Sequence, residues 1–326
     1  MTMTAPVEKP EVAVADDDGH VVNDGTDVFE RVAPAVAPAR PQRPTNVPLL
    51  IVGSSLCILA ALLLSLVAEL TVVGSLKHNR DQQVDYASLR KALAEGVAPT
   101  GQTDIDGRVL APGTPVALLS IPKAGISQEV VAEGTTSSLL MSGPGHRRDT
   151  VLPGQPGTSV IMGRQAAYGG PFSGLRLLKV GDELTVTTGQ GVFTYKVSGL
   201  RGPGSPVPAP EAGQSRLTLV TADGLPYLAS STLRIDATLT GDPVEKPAPV
   251  LSVRSLAPSE LAMQGETAAW IPLAFWAQGL VVAAIGAVFL AARWGRWQTW
   301  IVGVPVLLLL GLGVSEQVAR LLPNLI

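Results

Sequence analysis

Leu184-Thr185-Val186-Thr187-Thr188-Gly189-Gln190-Gly191-Val192-Phe193-Thr194-Tyr195-Lys196-Val197 decides the fold. Apolar and polar residues alternate on both sides of Thr188-Gly189-Gln190-Gly191, which reads as two half-buried strands joined by a hairpin connection. The same period of two, bounded by Gly and Pro, recurs at Val116–Ile121, Glu129–Ala132, Thr158–Met162, Arg216–Thr221 and Leu233–Leu239. Helical signal inside this region is confined to Gly134–Met141 and Pro171–Leu178. Many short strands with little helix predict an all-β barrel or sandwich over residues 115–240, long enough to enclose a core. Gly202–Pro210 reads as a surface loop.

Outward from this unit the chain changes character. Residues 47–73, VPLLIVGSSLCILAALLLSLVAELTVV, carry no charge until Glu69. A helix needs about 20 apolar residues to cross a roughly 30 Å hydrocarbon core, so this run predicts a transmembrane helix. Its length and its place behind residues 1–46 favour an uncleaved anchor over a signal peptide. Residues 269–292 and 300–322 predict two more spans, with a tight loop at 293–299 between them. All five tryptophans fall in this hairpin, most near the helix ends, where an amphipathic ring favours the interface. Glu316 and Arg320, at i and i+4, read as an interfacial pair. Residues 74–114 read as a juxtamembrane helix and linker, with the helix over Asn79–Gly96 ending at a glycine cap. Residues 241–268 form the linker back to the bilayer, and residues 1–46, acidic and proline-rich without an apolar period, read as a disordered tail.

Arg293 and Arg296 in the tight loop place it in the cytoplasm by the positive-inside rule. Two spans then put residues 74–268 outside and the N-terminal tail inside. Lys77, Arg80, Arg90 and Lys91 weigh against that sidedness; the parity of three spans and the loop arginines weigh for it. The expected localisation is a multi-pass cell-membrane protein with an extracytoplasmic barrel and a cytoplasmic N-terminus.

Composition agrees with this division. Of 326 residues 46% are hydrophobic and 16% charged, and the mean hydropathy of +0.31 is what apolar spans averaged with a polar domain produce. A net charge of −3, with no basic, aromatic-interleaved stripe, argues against nucleic acid as a partner. The one cysteine, Cys57, excludes an intrachain disulfide framework, and three histidines make a metal centre or cofactor unexpected. The expected partners are the lipid bilayer, an envelope protein or peptide, and a membrane-protein complex.

Within 115–240, an ordered series of short motifs carries a resemblance. Ser120-Ile121-Pro122, Glu133-Gly134, Ser142-Gly143-Pro144-Gly145-His146, Leu152-Pro153-Gly154-Gln155-Pro156-Gly157, Val160-Ile161-Met162-Gly163, Pro171-Phe172, Leu178-Lys179-Val180-Gly181-Asp182 and Thr218-Leu219-Val220-Thr221 follow one another as in sortases. The series most resembles the class E sortases of actinobacteria, and the Ala-, Gly- and Val-rich composition fits such a genome. The resemblance implies a closed eight-stranded barrel and a membrane-anchored cysteine transpeptidase that cleaves a sorting signal and attaches proteins to the envelope.

That chemistry needs a Cys thiolate as nucleophile, a His to move protons and an Arg to steady the substrate or oxyanion. The nucleophile ends a TLxTC motif, and here Thr218-Leu219-Val220-Thr221 runs into Ala222. Arg164 stands where the family histidine stands, and a guanidinium cannot serve as a base near neutral pH. Thr232 stands at the arginine position. An engineered inactive variant would explain Ala222 alone. The joint departure predicts a pseudo-sortase that binds or scaffolds proteins at the outer face of the envelope.

The remaining candidates for a groove are His146, Arg164, Ala222, Asp223 and Arg234. Strand alternation puts Arg234 and Thr232 on one face and turns Thr221 away from that of Ala222. Asp223 or a serine, with His146 as base, would supply a relocated active site. The glycines of the C-terminal hairpin would allow close helix approach, as in a structural subunit of a membrane complex.

Overall fold

The protein is described by a computed structural model over residues 47–206, 213–252, 255–294 and 296–326. The acidic tail predicted at 1–46, and part of the predicted loop at 202–210, lie outside the described residues.

Eight strands close into one barrel. They are β1 Pro115–Ile121, β2 Ile126–Glu133, β3 Gly145–His146, β4 Gly157–Met162, β5 Glu183–Thr188, β6 Gly191–Arg201, β7 Ser215–Asp223 and β8 Ser231–Leu239. Around the barrel the order is β1-β2-β3-β4-β7-β8-β6-β5, with β2–β3 and β4–β7 parallel and the rest antiparallel. The hairpin that decides the fold is β5–β6: Thr188 pairs with Gly191 across a two-residue connection, and Gly191 holds φ +140°, which favours glycine.

The period of two sets what each strand buries. Ile161 of β4, Leu217 and Leu219 of β7, Ile235 and Ala237 of β8, and Leu184 and Val186 of β5 join one interior core. The alternate residues of β4 and β7, Val160, Met162, Val220 and Ala222, belong to a second buried cluster on the outer side of the barrel wall. A strand face meant for water would not carry four apolar residues in a row of neighbours, so something must cover it.

Polar anchors inside the wall are paired. His146 Nδ1 lies 2.8 Å from Glu133 Oε2 across β2–β3, with both side chains deeply buried, and Nε2 lies 3.0 Å from the Val151 carbonyl oxygen. The Tyr195 hydroxyl accepts from the Gly154 N–H at 2.6 Å and bonds Ser215 Oγ at 2.9 Å.

Four long helices complete the chain. α1 Val47–Ala68 runs through a π-helical turn at Glu69–Val73 into α2 Gly74–Glu95; α3 spans Trp270–Arg293 and α4 Arg296–Leu321. The sequence predicts a separate juxtamembrane helix from Asn79, whereas the helix is continuous. The π-turn absorbs the junction because the barrel docks there. Tyr168 donates its hydroxyl to Glu69 Oε1 at 3.2 Å and its N–H to the Leu70 carbonyl at 3.0 Å. Gly74 makes room for the Tyr168 ring, which a Cβ at that position would approach to 2.7 Å. The predicted loop at 293–299 is shorter than expected, since α4 resumes helix at Arg296.

Three helices are long and apolar enough to cross a membrane, within Leu56–Glu95, Thr267–Leu290 and Trp297–Leu321. Leu64, Ile271, Val282, Val288 and Leu309 lie exposed along them, an arrangement costly in water and ordinary in lipid. Glu316 is more than an interfacial partner of Arg320 (3.1 Å): Lys77 of α2 reaches it at 3.0 Å and ties α4 to the first helix.

Candidate functional site

Three positions singled out by the sequence converge at one end of the outer β4–β7–β8 face. Ala222 pairs directly with Thr232 across β7–β8, and Val220 with Arg234. Arg164 follows β4, whose Met162 pairs with Val220, and the Gly163 N–H donates to the Val220 carbonyl at 3.0 Å. Ala222 is fully buried and carries only a methyl group. Thr221, which alternation turns to the other side of β7, has its hydroxyl buried and without a hydrogen-bond partner. Cys57 lies exposed on α1, within a helix apolar enough to cross a membrane.

Arg164 does not line an open surface. It is 1% exposed, donates from Nη2 to Ser137 O at 2.9 Å and Ser137 Oγ at 2.8 Å, and from Nη1 to the Ile326 carbonyl at 3.1 Å. Its guanidinium stacks 5.0 Å over the Tyr168 ring. Burial pulls its pKa down to about 10, still far above neutral pH, so the group is a fixed cation.

The structure does not bring His146 or Asp223 to the Ala222 face. His146 is 1% exposed. Both its ring nitrogens face acceptors, the Glu133 carboxylate and the Val151 carbonyl, which the imidazolium satisfies with two donors. Burial alone would lower its pKa, but the carboxylate and the carbonyl outweigh burial and raise it. Asp223 sits at the barrel rim with its carboxylate 2.8 Å from Arg176 Nη2, and Arg176 also caps the Gly224 carbonyl at 2.7 Å. Nothing local in the sequence marks Arg176, because its partner lies 47 positions away.

Beside the buried end, the same face opens into a cavity of about 550 Å³. Val160, Met162 and Val220 form its apolar floor, Thr158 and Thr218 its polar edge, and Arg147, Arg201 and Arg234 its basic wall. Arg147 is paired with Asp149 at 2.6 Å, and Arg201 holds Asp236 through Nε and Nη2. Thr218 Oγ1 donates to Asp236 Oδ1 at 2.7 Å. Burial opposes ionisation of Asp236, yet the bonds from Arg201 and Thr218 hold its carboxyl below the usual value. Arg201 Nη1 is buried without a partner, and Arg234 has no ion-pair partner among the described residues. The site therefore offers a basic, partly apolar groove rather than a nucleophile and base in contact. Among the described residues no group of three or more His, Cys, Asp or Glu is arranged to hold a metal ion.

Comparison with known proteins agrees with the barrel. The sortase domain family model matches residues 119–236, from β1 to β8 of the barrel. No curated protein sequence matches. Among solved structures, sortase E from Streptomyces avermitilis is 28% identical over 47% of this chain and 100% of its own, with a TM-score of 0.35. The Clostridium perfringens sortase D5 transpeptidase is 22% identical over 50% and 99%, TM-score 0.42. Sortase A from Corynebacterium diphtheriae is 20% identical over 55% and 95%, TM-score 0.37.

Proposed function

We propose that this chain is a membrane-anchored pseudo-sortase, a barrel at the outer face of the envelope that binds a protein or peptide segment without cleaving it. The observation that carries this reading is the side chain at 222. Acyl transfer through a sortase site needs a sulfur nucleophile, and the residue at that place is Ala222, with Arg164 and Thr232 beside it and no thiol in the barrel domain. A permanently protonated Arg164, bonded to Ser137 and Ile326, offers no lone pair for proton abstraction.

A relocated active site has less support. His146 has both nitrogens engaged and Asp223 is paired with Arg176, so neither presents a free base or nucleophile to the groove. What the groove does offer is binding chemistry. Its floor suits aliphatic side chains, and the guanidinium of Arg234 suits a carboxylate of the bound segment. The sidedness set by Arg293 and Arg296 puts that groove where envelope proteins pass. The spans also enclose an apolar cleft of about 670 Å³ between α1, α3 and α4, which favours, as a second reading, contacts with a membrane-protein partner.

The test uses the full chain in detergent micelles with a panel of sorting-signal peptides. We expect no cleavage product and no acyl-enzyme by mass spectrometry. Acidic peptides retained by the protein should bind about ten-fold more weakly to Arg234→Glu, the size of one charge-assisted hydrogen bond removed and replaced by repulsion. Turnover that disappears on substituting Asp223 or His146 would sink the pseudoenzyme reading. Partners that are lost on deleting 270–321 but kept in Arg234→Glu would favour the second reading.

A further inference from the structure

The apolar strip on β4 and β7 is covered by the chain itself. Beyond α4, the segment Leu322–Ile326 leaves the membrane-spanning hairpin and turns into the groove. Leu325 is 0% and Ile326 8% exposed, and both belong to the buried cluster that contains Val160, Met162, Val220 and Ala222. The segment is held by a set of directed bonds. Gln165 N–H donates to the Leu325 carbonyl at 2.9 Å and Arg164 Nη1 to the Ile326 carbonyl at 3.1 Å. Asn324 donates from Nδ2 to Thr135 O at 2.8 Å and Leu261 O at 3.0 Å, and its N–H goes to Gln264 O at 2.9 Å. Ile326 N–H closes on Pro323 O at 3.2 Å, so the segment enters as a β-turn that presents two aliphatic side chains.

We infer that Leu322–Ile326 is a resident peptide ligand of the groove, and that any segment binding there in trans must displace it. The inference deepens the binding reading above and rests on it only for the trans partner. It also accounts for Arg164, since the guanidinium at the family's histidine position clamps the main chain of the resident turn. The occupied and open parts of the groove share Val160, Met162 and Val220. A competing segment can therefore engage the Arg234 end first and then exchange its own aliphatic pair for Leu325 and Ile326. Because the resident turn is tethered to α4, it acts at an effective concentration of about millimolar, so a free peptide of equal intrinsic affinity is held off. The occupant gives one part of the ligand class, a turn bearing an aliphatic pair, and Arg234 in the open part of the groove gives the other, a carboxylate.

The test uses the full chain in micelles, in a Cys57→Ser background, with Ala222→Cys as reporter and a water-soluble maleimide as probe. Deleting residues 322–326 should speed labelling of the reporter at least ten-fold. Leu219→Cys, inside the barrel, should stay unlabelled in both forms, which separates groove opening from unfolding. If the deletion unfolds the barrel, Leu325→Asp replaces it, with the same expectation. Equal labelling with and without the segment overturns the inference. In parallel, a fluorescent peptide of sequence RLLPNLI should bind the deleted form at least ten-fold more tightly than the full chain. Faster labelling with no peptide binding by either form would leave the resident segment standing and remove the peptide-binding function. Equal peptide binding by both forms would overturn displacement.

Discussion

Alanine in place of Glu133 is expected to lower the unfolding free energy by about 3–5 kcal/mol, the usual loss when one member of a buried ion pair is removed. The pair is nearly sealed from water, with side-chain exposures of 1% for His146 and 2% for Glu133. Removing the carboxylate leaves a buried imidazole with one acceptor gone, beside a cavity. It also loosens the parallel pairing of β2 with β3, where Glu133 faces His146 and which is only two residues long. In thermal unfolding of the full chain, followed by near-ultraviolet circular dichroism, the midpoint should fall by about 10–20 °C. Glu133→Gln should cost less, since the amide still accepts a hydrogen bond. The pH dependence gives an independent check. His146 titrates above its ordinary 6.5 in the folded chain, so it stabilises fully below that value and the stabilisation is lost as pH rises through the raised value. That alkaline slope should vanish in His146→Phe. An alkaline limb identical in wild type and His146→Phe, or a Glu133→Ala midpoint within about 2 °C of wild type, would show the pair to be idle.

How much of this was legible in the sequence depends on the distance over which each feature is decided. Strands were legible because alternation is local: the run at Arg216–Thr221 lies within Ser215–Asp223 and that at Leu233–Leu239 within Ser231–Leu239. The same alternation places Thr232 and Arg234 on one face of β8 and turns Thr221 from Ala222, as the register has it. Strand β3 was invisible because two residues, Gly145 and His146, carry no period. The continuity of the first helix past Val73 was hidden because the apolar run ends there, while the turn that carries the helix on begins at the buried Glu69. Its burial depends on Tyr168, 99 positions on.

The site was less legible than the fold for the same reason. Arg164 reads as a groove cation by its place after β4, yet what buries it comes from Ser137 and Ile326, 27 and 162 positions away. The predicted span ends at Leu322, and the four residues after it carry no signal of their own, since nothing local tells an aliphatic pair in lipid from one in a groove. The signal that could have raised the question is compositional. Val160, Met162, Val220 and Ala222 make both faces of β4 and β7 apolar, and a strand with two apolar faces needs a cover on each.

Asp236→Ala gives the second large effect, with opposite signs in stability and binding. The carboxylate takes two bonds from Arg201 and one from Thr218, and its side chain is 4% exposed. Arg201, at 11%, keeps some water. Loss of the carboxylate should therefore cost about 2–4 kcal/mol, somewhat less than a fully buried pair. Asp236 titrates below its ordinary 3.8 when folded, so its contribution is present above that value and fades as pH falls through the lowered one. The acid limb of the stability profile should flatten in Asp236→Ala while the alkaline limb set by His146 persists. Binding should move the other way. Arg201 already has Nη1 without a partner, and without Asp236 its whole guanidinium faces the cavity next to Arg234. Acidic peptides should then bind about three- to ten-fold more tightly to Asp236→Ala at low salt, an advantage that screening reduces at high salt. A purely structural Asp236 predicts lower stability with unchanged or weaker binding. Only a groove that recognises carboxylates predicts a less stable protein that binds its ligand better.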